Sequence, residues 1–178
     1  MNVPNTLSIL RILSIPVFVI FLLYDRFFVA LLIFIGAGIT DGLDGLIARV
    51  FNQKTAIGAY LDPIADKLML ITSFIVLAIL RIIPGWLTVI VISRDVIILL
   101  GVLLLQLTSH KVEIKPIFIG KASTVMQLVT IAWALVTQFS MVMKSVFPAI
   151  IWVTAGLTAL SGLFYIYIGT KYFNELGG

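Results

Sequence analysis

Residues 40–67 read TDGLDGLIARVFNQKTAIGAYLDPIADK. They hold four of the chain's eight acidic side chains, Asp41, Asp44, Asp62 and Asp66. The 178-residue chain around them is mostly apolar, with 61% hydrophobic residues, 11% charged residues and a mean hydropathy of +1.20. A soluble domain carries about 25% charged residues. The carboxylates stand at the edges of two apolar runs, and Asp41 falls well inside one of them. Ionisable groups are costly there and mark function by default.

Working outward, six apolar runs cover roughly 7–23, 28–48, 63–81, 85–107, 117–141 and 146–168. Each is long enough, as a helix, to cross about 30 Å of hydrocarbon. Pro84 and Pro148 fall where the fourth and sixth helices would start, a place that tolerates proline. The first run has no basic lead-in and no small-residue cleavage site. It therefore reads as a spanning helix rather than a removable leader. Lysine and arginine are concentrated on one side of this pattern: Arg11, Arg49, Lys54, Lys67, Lys111, Lys115, Lys121 and Lys171 against Arg26, Arg81 and Lys144. The positive-inside rule puts the richer side, with both termini and the 49–62 and 108–116 loops, in the cytoplasm. No linker, composition shift or internal repeat divides the chain. The expectation is an all-α integral membrane protein of six transmembrane helices, both termini cytoplasmic, forming a single domain over 1–178.

Composition also excludes. Without cysteine there are neither disulfides nor thiolate metal sites. The net charge of +4 and pI near 9.5 are accounted for by cytoplasmic loops facing anionic headgroups, with no call for nucleic acid.

Asp41 and Asp44 are three residues apart and share one face of the second helix; Asp62 and Asp66 are four apart and share one face of the third. A short cytoplasmic loop lets the two pairs meet, and four such carboxylates repel unless a cation lies among them. Oxygen-only ligands suit Mg²⁺, Mn²⁺ or Ca²⁺. Solvated helix-end caps are the weaker explanation. Gly42, Gly45 and Gly58 among the acids allow close approach of backbone or ligand, though Gly36, Gly38 and Gly42 could equally serve helix packing. Arg49, one turn beyond Gly45, can grip a phosphate with its fork or anchor the helix at the interface.

The full pattern is Asp41-x-x-Asp44-Gly45-x-x-Ala48-Arg49, eight residues, then Gly58-x-x-x-Asp62-x-x-x-Asp66. It resembles the signature of the CDP-alcohol phosphatidyltransferases, with every defining position matched. The opening NVPNTLSILRI is similar to that family's N-terminal segment, with Asn5 and Thr6 at the matching positions. The resemblance implies a CDP-diacylglycerol donor and one or two Mg²⁺ or Mn²⁺ ions held by Asp41, Asp44, Asp62 and Asp66. It further implies Gly45, Arg49, Thr55 and Gly58 along the cytidine and diphosphate, and Asp66 as the base for the acceptor hydroxyl. A homodimer and an active site on the cytoplasmic side of an inner or plasma membrane follow from the same likeness.

For the acceptor, Arg94 and Asp95 lie near the middle of the fourth run. As neighbours they project to different faces and are not expected to pair with each other. Arg94, Lys115 and Lys121 together could hold an acceptor phosphate. His110 reads as a solvated loop residue. Within the family, Gly120-Lys121-x-x-Thr124 and Gln127 are similar to the glycerol 3-phosphate users, which usually carry a basic residue where Ser123 stands. ISRDVIIL, IKPIFIGKASTVMQL and YIYIGTK look closer to the cardiolipin synthases. The reading therefore favours phosphatidylglycerol as acceptor over glycerol 3-phosphate. A cation transporter built on intramembrane carboxylates is the alternative of another class, and it would not need Arg49 and Gly58 in fixed positions.

Overall fold

The structure is a computed structural model. It describes residues 3–50, 56–107 and 118–176, with side chains described over 6–41, 64–101 and 118–171. Helices form where the apolar runs lie, because hydrocarbon offers no partner for a backbone N–H or C=O and a helix satisfies both internally. In chain order they are α1 (Val3–Leu23), α2 (Phe27–Val50), α3 (Ala56–Ile79), α4 (Gly85–Leu107), α5 (Phe118–Val136), the short α6 (Met141–Lys144) and α7 (Phe147–Leu176). No strand occurs among the described residues. Among the described residues, three segments are long and apolar enough to cross a membrane: Thr6–Leu23 in α1, Phe118–Val136 in α5 and Phe147–Lys171 in α7.

The helices outrun the apolar runs. A loop is expected over 49–62, yet α2 continues to Val50 and α3 already starts at Ala56. Hydropathy marks where a helix is oily, and helix-forming residues such as Ala56, Ala59 and Leu61 carry the coil past that limit. The opposite correction applies to the fifth run. It extends to 141 by hydropathy, but α5 stops at Val136. After a turn, Trp133 Nε1 donates to the Met143 carbonyl at 3.0 Å, tying α6 back to α5.

The chain forms two compact units. The first comprises Met1–Ile83 with Ile131–Ser145, and in it α1 packs against both α2 and α3. Ser8, Arg11, Phe18 and Leu22 are buried along α1, at the three- and four-residue spacings that share a face. Ala30, Phe34 and Ala37 are buried along α2, and Ala65, Met69, Ser73 and Leu77 along α3. The Phe18 and Phe34 rings lie 6.1 Å apart. The turn between α1 and α2 passes through Asp25 at φ 56°, a left-handed conformation that aspartate accepts better than most residues.

The second unit comprises Pro84–Thr130 and Val146–Gly178, with α4 packed on α7. Pro84 precedes α4 directly and Pro148 is the second residue of α7, as expected for proline at helix starts. Its interior has a polar seam. Thr130 and Thr154 hydroxyls meet at 2.7 Å, and Ser123 and Thr158 at 3.1 Å. Gln127 Nε2 donates to both Ser123 and Thr158. Hydroxyl and amide pairs of this kind join helices where apolar contact alone has no driving force. Outward faces are oily: Leu13, Ile20, Val89, Leu99, Leu163 and Tyr167 are all exposed.

Candidate active site

Three helices of the first unit each contribute one charged side chain to a single point. Arg11 of α1 donates from Nη1 to Asp66 Oδ1 of α3, and the same nitrogen lies 3.0 Å from Asp41 Oδ1 of α2. Arg11 is 3% exposed. A guanidinium this deep must be paired, because an uncompensated buried charge is strongly destabilising. The packing explains the meeting. Arg11 is seven residues before Phe18 on α1, and Asp41 is seven residues after Phe34 on α2. Seven residues are about two turns, so in this antiparallel pair the Phe18–Phe34 contact sets the register that brings Arg11 to Asp41. Asp66 reaches the same point from α3, beside buried Ala65 and one turn before buried Leu70.

Sequence reasoning expects Asp41 and Asp66 in one site, and they converge. It misses Arg11, which enters there only as one of the cytoplasmic positive charges. The overlooked signal is positional: Arg11 lies inside an apolar run, on the face that also carries Ser8, Phe18 and Leu22.

Asp44, Gly45 and Arg49 belong to α2, Gly58 and Asp62 to α3, and Asn5 to α1, but their side chains lie outside the described residues. So do Thr55 and Lys115 altogether. Thr6 is exposed at the start of α1. Nothing lies within 4 Å of where a Cβ would stand on Gly36 or Gly38, so close helix packing among the described residues is not what those glycines provide.

The donor set fits a hard divalent cation. Two carboxylates from different helices face one another, and a positive charge, the Arg11 guanidinium, already sits between them. Oxygen ligands of this kind suit Mg²⁺ or Mn²⁺. The family implied by the sequence motif is generally dependent on a divalent metal.

The second unit holds a different charged cluster. Arg94 is buried; it donates from Nη1 to Asp95 Oδ1 at 2.7 Å, from Nε and Nη2 to Ser161 Oγ, and from Nη2 to the Gly120 carbonyl at 3.2 Å. Its guanidinium carbon lies 5.8 Å from the Tyr165 ring centroid, within cation–π range. The expectation that neighbours Arg94 and Asp95 do not pair is thus overturned. Adjacent Cβ atoms diverge on a helix, but the long arginine stem folds back far enough to cross that angle. Gly120 lets these groups approach closely, since a Cβ would fall 2.9 Å from Tyr165 Oη and 3.3 Å from Arg94 Nη2 and those side-chain ends would have to shift. Lys121 follows directly and is exposed, while Ser123 is wholly buried.

The fold and these clusters define a class: a helical integral membrane protein whose longest polar motif brings carboxylates from two helices onto one cation. Comparison with known proteins gives the family. Residues 1–160 match the family model for CDP-alcohol phosphatidyltransferase, and the chain belongs to that family. It is 36% identical over 99% of its length to a cardiolipin synthase (CMP-forming) of Rattus norvegicus, and 34% identical over 96% to one of Homo sapiens. The chain spans 64% and 62% of the length of those two relatives. It is also 35% identical to a CDP-diacylglycerol–glycerol-3-phosphate 3-phosphatidyltransferase of Shigella flexneri serotype 5b (strain 8401), over 93% of each chain.

Proposed function

We propose that this protein transfers a phosphatidyl group from CDP-diacylglycerol to the hydroxyl of a glycerol-type acceptor and releases CMP. The observation that carries the proposal is the convergence of Asp41 and Asp66, the first and last acids of the motif, from α2 and α3 onto one buried cation. The names of the relatives support the same chemistry. The acceptor hydroxyl oxygen forms the new bond to the phosphatidyl phosphorus, the bond from that phosphorus to the CMP oxygen breaks, and Asp66 takes the hydroxyl proton. Asp41, Asp44, Asp62 and Asp66 hold one or two Mg²⁺ or Mn²⁺ ions. Such ions, when bound, neutralise diphosphate charge. Asn5, Thr6, Gly45, Arg49, Thr55 and Gly58 bind the donor, and Arg49 orients its phosphates with a planar fork. Acyl chains remain in the bilayer while the headgroup reaches the rim of the helices.

In this reading the chain acts as a single six-span membrane domain, dimeric, with both termini and the site on the cytoplasmic side of an inner or plasma membrane. The acceptor is phosphatidylglycerol, and the product cardiolipin. Its single phosphodiester charge needs only a few cations, for which Arg94, Lys115 and Lys121 are the candidates. Ser123 supports this choice: an uncharged residue stands where glycerol 3-phosphate users usually carry a basic one, and its hydroxyl is taken up by Thr158 and Gln127. Glycerol 3-phosphate is the second reading, favoured by the Shigella relative's full-length match. Purified protein given labelled CDP-diacylglycerol and each acceptor in turn tests the choice. Cardiolipin should form faster than phosphatidylglycerophosphate; the reverse order refutes the acceptor and leaves the family chemistry standing.

A further inference from the structure

We infer that Arg11 is an internal counter-ion of the carboxylate site: it holds Asp41 and Asp66 together in the metal-free protein and competes with a divalent cation for their oxygens. The inference rests on the reading that these aspartates take such a cation.

A guanidinium offers a fixed positive charge on a planar fork of donors. One nitrogen, Nη1, serves Oδ1 of both aspartates. Those aspartates come from two separate helices, and α1 is the element packed against both. Without Arg11, the facing ends of α2 and α3 would present like charges to each other, and like charges at short range raise the free energy of the ionised pair. The guanidinium thus keeps the site assembled before metal arrives.

The same contacts set up competition. Mg²⁺ and Mn²⁺ bind carboxylates through direct oxygen contact, and Arg11 already occupies an oxygen of each carboxylate. A divalent ion must displace the guanidinium from these oxygens or bind beside its positive charge, and either lowers the ion's affinity. Displacement is feasible without unpacking α1. Ser8, Phe18 and Leu22 anchor the helix, and the arginine stem has several rotatable bonds. Arg11 is therefore a positioning residue that trades metal affinity for a site that persists when empty.

A purely supportive role predicts the opposite sign. If Arg11 only aimed the carboxylates at the metal, removing it would loosen the site and weaken metal binding. Mn²⁺ alone is the probe, titrated into the purified full chain and followed by the electron paramagnetic resonance of free Mn²⁺, with thermal unfolding measured in parallel. For Arg11→Met the inference predicts a Kd at least tenfold lower than wild type. It also predicts a lower metal-free Tm, and a Mn²⁺-induced rise in Tm larger than wild type shows. Arg11→Gln keeps a hydrogen-bond donor without the charge; it must move the Kd in the same direction, and it carries the test where Arg11→Met does not fold. A Kd unchanged or raised in the folded variant overturns the inference. Wild-type protein that takes up no Mn²⁺ overturns the metal reading itself, and the inference with it.

Discussion

Asp66 accepts from Arg11, and the proposed function also has it take a proton from the acceptor. Asp66→Asn separates the two. The amide oxygen still accepts from the guanidinium, so the α1–α3 contact and the fold should survive, while the base is gone. Loss of a positioned base lowers rates by about 10²–10⁴. CMP release by the variant should fall within that range, with CDP-diacylglycerol binding retained, as measured by single-turnover assay and direct binding. Near-normal turnover would assign the proton to another group. At this scale Asp41 and Asp66 were legible as neighbours because both belong to one acidic motif in an otherwise apolar chain. Arg11 was not, because a charge count treats every arginine near a terminus as an anchor, and only the packing of Phe18 on Phe34 reveals which way it is carried. The Arg94–Asp95 pair was misread for a related reason: helical periodicity fixes where a side chain starts and says little about how far it reaches.

The existence and order of the long helices follow from hydropathy alone, since an apolar run in a bilayer has one way to satisfy its backbone. Their ends do not. α3 starts at Ala56 rather than near 63, because helix propensity continues where hydropathy fails. The polar seam of the second unit was equally hidden: serine, threonine and glutamine within an apolar run look like minor interruptions until α5 and α7 are set side by side. Its Thr130–Thr154 contact at 2.7 Å is a measurable bond between elements. A double-mutant cycle on Thr130→Val and Thr154→Val, followed by reversible unfolding in mixed micelles, should give a coupling of about 0.6 kcal/mol, with about 1.7 kcal/mol as the upper bound for such pairs. Zero coupling would mean that each hydroxyl spends its single proton within its own helix, on the Met126 or Ile150 carbonyl, and that none is shared between α5 and α7.

For the molecule as a whole, the proposed topology puts both termini on the side richer in lysine and arginine, and a sequence without cysteine makes it easy to probe. Asp25→Cys, in the turn after α1, and Ser140→Cys, between α5 and α6, should react with an impermeant maleimide from one side of the membrane. Lys171→Cys, near the end of α7, should react only from the other. Labelling of all three from the same side would contradict the topology. The central claim is that the carboxylates of α2 and α3 make a metal-dependent phosphatidyl transfer site, and CMP release tests it most directly. Purified protein with labelled CDP-diacylglycerol and phosphatidylglycerol should release CMP in Mg²⁺ or Mn²⁺, stop in excess EDTA and recover when the metal is restored. Full turnover in excess EDTA, or no CMP release with either acceptor under any metal condition, would contradict it.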